Sequence, residues 1–134
     1  MISSSTRRVV GVWCTAALLV SGCALDLTDV KWSPAQARSP ASTEQAFVLA
    51  EEVHISGAPC GYSRTLRPKT RWELSATLTQ GDVFRSRDQV LTVECSNVFE
   101  AYLVVAAGQL VGFYLPVEKG FVSLRDPIPL PIVP

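Results

Sequence analysis

From Thr70 to Leu115 the chain alternates apolar and polar residues with a period of two. Trp72, Leu74, Ala76 and Leu78 fall on one side of an extended segment and Glu73, Ser75 and Thr77 on the other, as in a half-buried β-strand. Thr79-Gln80-Gly81-Asp82 supplies turn chemistry, after which Val83 and Phe84 resume and Ser86-Arg87-Asp88 interrupts again. Gln89 to Cys95 is short and β-branched, Ser96-Asn97 offers a tight turn, and Val98 to Ala106 is predicted as the longest strand. Ala107-Gly108 turns the chain into Gln109 to Leu115, which Pro116 stops, and Gly112 inside that strand marks a bulge or a tight corner. Phe121 to Leu124 predicts a last short strand. The pattern predicts an all-β fold, a small antiparallel meander with short connections.

Upstream, Glu44 to Ile55 reads two ways. Ser42 with Gln45 suits a capping box for a short helix, whereas Phe47, Leu49, Val53 and Ile55 share one face with period two. The β-branched end and the Ser56-Gly57-Ala58-Pro59 that follows favour a strand. Ala24 to Thr43 is rich in Pro, Ser and Ala and predicts a flexible tether, with Trp32 either at a membrane interface or docked on the domain. Asp126 to Pro134 alternates proline with Ile and Leu and predicts an extended tail, packed along the domain or free for a partner.

The first residues follow a different rule. A polar, cationic start ending in Arg7 and Arg8 precedes Val9 to Val20, twelve residues without a charge, and then Ser21 and Gly22. At about 1.5 Å per residue such a run spans about 18 Å, well short of a hydrocarbon core of about 30 Å. It fits the apolar region of a secretory signal, with the arginines forming an ordinary cationic start rather than a twin-arginine one. Val20-Ser21-Gly22-Cys23 resembles the lipobox of bacterial lipoproteins, with Val20 where Leu is usual. The resemblance covers the first 25 or so residues and implies that Cys23 is diacylated and becomes the mature N-terminus. In that family an Asp after the Cys often retains the protein at the inner membrane. Ala24 stands there, so the outer membrane is favoured. The expected divisions are a signal peptide over 1–22, a lipidated N-terminus and disordered tether over 23–44, a β-domain over 45–125 and a Pro-rich tail over 126–134.

A second resemblance lies within the domain. Leu66-Arg67, then Ala76-Thr77-Leu78-Thr79-Gln80-Gly81-Asp82-Val83, then Tyr102-Leu103-Val104-Val105, Gly108 and Gly112-Phe113 are similar to the bacterial SH3-like module. Phe113 stands where that family usually has Trp, and the insert from Arg85 to Asn97 is longer. The resemblance implies a small β-barrel that binds cell-wall peptide or other envelope proteins.

Cysteine use agrees with export. With Cys14 in the signal and Cys23 at the lipid site, Cys60 and Cys95 remain as an even pair, for which a disulfide is the default. A metal site is the weaker reading, because two thiols and the single His54 lack zinc-site spacing, and no metal or cofactor is expected. Removing residues 1–22 takes two arginines from twelve basic residues and leaves all twelve acidic ones, so the mature chain carries −2. That argues against nucleic acid as a partner.

Groups that carry chemistry are few. Period two puts His54 on the face opposite Val53 and Ile55, and no Gly-x-Ser-x-Gly, His-Glu-x-x-His or phosphate-cradling loop occurs. The chain is therefore read as a non-enzyme. Six of the ten mature basic residues, Arg64, Arg67, Lys69, Arg71, Arg85 and Arg87, cluster between 64 and 87 and form a candidate binding surface for phosphates or an acidic partner. A solvated face of mixed charge is the plainer reading. Glu100, Tyr102 and Tyr114 are a second candidate surface. The expected role is a lipid-anchored, periplasm-facing binding or assembly protein. Its partners are the membrane and an envelope protein or cell-wall component. The alternative is an inhibitor of a wall-degrading enzyme that presents Ala58 to Lys69 as a loop.

Overall fold

Strands form wherever the alternation puts one apolar row inward, and antiparallel pairing joins all of them. A computed structural model describes residues 30–134. The predicted signal peptide, Cys23 and the first part of the tether lie outside the described residues. The strands are β1 (Ser33–Pro34), β2 (Ala46–Leu49), β3 (Val53–Ile55), β4 (Arg64–Leu66), β5 (Arg71–Thr77) and β6 (Asp82–Ser86), followed by β7 (Thr92–Glu94), β8 (Val98–Glu100), β9 (Tyr102–Ala106), β10 (Gln109–Leu115), β11 (Gly120–Pro129) and β12 (Ile132–Val133).

Eight of them make one sheet in the order β1-β11-β10-β9-β6-β5-β2-β12, while β3-β4 and β7-β8 form separate two-stranded ribbons. Of the two architectures the sequence allows, the meander is the one formed, and the sheet does not close into a barrel. Leu78 and Gly81 exchange backbone hydrogen bonds across the β5–β6 turn. Ala107 (φ 50°) and Gly108 (φ 74°) make the β9–β10 turn, where two consecutive positive φ values match the twist of the flanking strands.

The main core runs through Phe47, Leu49, Trp72, Leu74, Phe84, Leu103, Leu110, Phe113, Leu115 and Val122, and the inward residues of both ribbons join it. Phe47 and Phe84 meet edge to face with centroids 4.8 Å apart. Fully buried Trp72 keeps its indole N–H satisfied by donating to Thr70 Oγ1 at 3.0 Å, and Thr70 donates in turn to the Arg67 carbonyl at 2.9 Å. That relay is why a threonine is tolerated in the core.

Four expectations are corrected. Residues 33–38 are not a free tether: β1 pairs with Phe121 and Gly120, and Arg38 bridges Thr77. The reason is a second apolar cluster, Val83, Val104 and Tyr114, on the other face of the sheet, against which Ala35 packs. Val98 to Ala106 is not one strand, because Ala101 turns inward, donates to the Leu91 carbonyl and separates ribbon from sheet. The β-domain does not stop at residue 125. β11 is the longest strand at ten residues, and β12 pairs Ile132 and Val133 with Leu49 and Val48. The tail is thus packed, in the extended form predicted. Glu44 to Ile55 is extended as read, but as two strands in different sheets, split at Ala50–Glu52.

Candidate functional site

The Cys60–Cys95 disulfide joins the two ribbons, with Cα atoms 5.6 Å apart. Both thiols are consumed in it and neither is free to hold a metal. Arg64 reinforces the same junction, its guanidinium donating to Thr92 Oγ1 at 3.2 Å and to the Val90 carbonyl at 3.0 Å. Half-buried and bonded inward, Arg64 belongs to the scaffold rather than to a binding surface.

Three of the other basic residues gather at one carboxylate. Glu73 on β5 receives Arg87 at 2.8 Å and Arg71 at 3.4 Å, and it stands in register with Arg85 on β6. Asp88 accepts the Arg71 backbone N–H at 3.0 Å. Two of the six charges are therefore partly neutralised by a single carboxylate. Arg67 and Lys69 are exposed in the loop between β4 and β5, where Lys69 (φ 64°) donates its backbone N–H to the Leu49 carbonyl. Arg85 makes no ion pair among the described residues.

Arg85 instead borders a cleft of about 750 Å³ between the β6–β7 segment and the break at Ala101. Its lining includes Arg85, Asp88, Gln89, Val90, Glu100 and Tyr102, with buried Leu91 and Ala101 as apolar ground. Glu100 and Tyr102 line the cleft together. Burial, first, and the Glu100 charge, second, push the Tyr102 phenol above its ordinary 10.0, with Arg85 pulling the other way. Tyr102 therefore remains a protonated donor at neutral pH. The Gln89 amide nitrogen is buried beneath the cleft with no hydrogen-bond partner among the described residues. The cleft sets a guanidinium and a phenol beside the Asp88 and Glu100 carboxylates and the exposed Val90.

Ultraviolet titration should place the Tyr102 midpoint above 10.0, read as wild type minus Tyr102→Phe. Glu100→Gln should move it down without restoring the ordinary value, because burial is the larger cause. The neutral phenol is the form the fold favours, so its contribution is complete below pH 10.0 and is lost as pH rises through the folded-state value. An unshifted midpoint in the wild type refutes the buried placement.

Sequence reading had paired Tyr102 with Tyr114 as a surface. The two are in register on β9 and β10, but Tyr114 is 7% exposed and belongs to the second core cluster. Gln89 and Asp88 were missed, since nothing in their local pattern shows that the chain folds back over Ala101. His54 is exposed on β3, with Val53 and Ile55 inward as the alternation required, and its Nδ1 lies 3.3 Å from Thr65 Oγ1. No family model matches this chain, and no match is found among curated proteins or solved structures.

Proposed function

We propose that this chain is a lipid-anchored protein of the bacterial envelope, held at the membrane by Cys23, with a non-catalytic binding or assembly role. The Cys60–Cys95 bridge carries the reading, because paired cysteines persist as disulfides in oxidising compartments outside the cytoplasm. The apolar run that ends at Cys23 supplies both the route and the anchor. Acyl chains contribute about 0.8 kcal/mol per buried CH₂, and more than one chain makes the anchoring stable.

Assembly is favoured over inhibition by the state of residues 58–69. An inhibitory loop must protrude, yet Ala58 and Leu66 are buried, Cys60 is bridged and β4 pairs with β3. The cleft at Arg85 and Tyr102, rimmed by exposed Val90, is the binding face, and its partner is a peptide segment of an envelope protein or of the wall.

Cys23→Ser should move the protein from the membrane fraction to the soluble one, as followed by fractionation and immunoblotting. Retention of the variant in the membrane overturns the anchor. Arg85→Ala with Tyr102→Phe should reduce partner recovery from detergent-solubilised envelope while leaving the protein in the membrane.

A further inference from the structure

We propose that the end of the sheet built from β1 and the β10–β11 turn rests on the headgroup layer of the anchoring membrane, with Trp32 as its interfacial contact. The proposal rests on the reading of Cys23 as the lipidated residue.

Trp32 serves two surfaces at once. One face of its ring covers Gly120, so closely that a Cβ added there would lie 2.5 Å from the indole Cε3. The side chain is nonetheless 41% exposed, and it is the one exposed aromatic among the described residues. It borders a groove with Lys31, Ser33, Gln80 and the half-buried Phe121. The Ala35 N–H donates to the Lys119 carbonyl at 3.0 Å, which ties the β10–β11 turn to the segment carrying Trp32. That turn presents Val117, 76% exposed, together with Lys119. Neither Lys31 nor Lys119 has an ion-pair partner among the described residues, and Glu118 is the turn's one carboxylate.

An amphipathic indole, an exposed aliphatic residue and two unpaired cations make up an interfacial contact for a bilayer with anionic headgroups. Chain length selects that occupant. Position 32 lies nine residue steps after position 23, and such a stretch reaches at most about 30 Å when fully extended. The anchoring leaflet is thus held near Trp32 at high effective concentration, and a contact too weak to bind alone becomes occupied.

Tryptophan emission reads the contact in the lipidated mature protein, residues 23–134, which lacks Trp13, reconstituted into phosphatidylethanolamine–phosphatidylglycerol vesicles with ordinary or brominated acyl chains. Trp72 is fully buried and gives a constant background. Brominated lipid should quench wild-type emission and leave Trp32→Phe unchanged. Lys31→Glu combined with Lys119→Glu should weaken the quenching at low salt. Equal emission in both vesicle types, with acyl chains on Cys23 verified by mass, overturns the docking and leaves the anchor standing; so does equal quenching in Trp32→Phe. A Cys23 without acyl chains overturns the anchor instead. With the anchor gone, the tethering that selects the membrane as occupant is gone too, and the docking falls with it.

Discussion

Replacing Cys60 and Cys95 together by serine should lower the unfolding free energy by about 4 kcal/mol, the chain-entropy value for cross-linking residues 35 positions apart. Domains of this size have total stabilities of about 5–15 kcal/mol, so the loss decides whether the fold persists at physiological temperature. The bridge restrains two ribbons that belong to neither edge of the main sheet, and Val53, Ile55, Leu66 and Val93 on those ribbons cover its core. Without it, the ribbons stay joined through Arg64 and the apolar contacts alone. Urea unfolding of the oxidised, reduced and double-serine forms measures the effect. A change below about 1 kcal/mol would mean that the Arg64 contacts already hold the ribbons and that the entropic account fails here.

A single added methyl should have a comparable effect at Gly112. The pairing of β10 shifts between Leu110 and Gly112, so that β11 crosses Gly112 at close range. A Cβ there would sit 2.2 Å from the Val122 carbonyl oxygen and 2.7 Å from the Phe121 ring. Side chains yield cheaply, but a backbone carbonyl in a paired strand does not. Gly112→Ala should therefore cost about 3 kcal/mol, the upper end of overpacking penalties, and lower Tm by more than about 10 °C. Gly108→Ala is the comparison, because a Cβ there meets nothing within 4 Å and only the left-handed φ of 74° opposes it, at about 1 kcal/mol. Thermal unfolding that ranks the two variants the other way would remove the close crossing.

The two glycines also show what kind of information lay open in the sequence. Gly112 interrupts a strand pattern and Gly108 ends one, and both meanings were readable from neighbouring residues. The alternation from Trp72 to Leu78 was readable for the same reason: one face is wet and the other dry. Where both faces are covered, the pattern loses its contrast. Leu103, Val104 and Val105 are all buried, so the run through Ala101 looked continuous and concealed the break that forms the cleft. The segment from Trp32 to Arg38 has the composition of a linker, and only a second apolar cluster on the far side of the sheet makes it dock. How the basic run from Arg64 to Arg87 pairs was not legible, because charge counts carry no register. Glu73 lies across from Arg85 and within reach of two other guanidiniums, a placement set by strand pairing rather than by spacing along the chain.

The order in which the sheet can be completed follows from its two outermost ladders. Residues 33–34 await 120–121, and residues 48–49 await 132–133. A nascent polypeptide lacking its last strands leaves both flanks of the meander unsealed. Final assembly therefore waits until residue 133 has been synthesised, and such long-separation pairings form slowly even then.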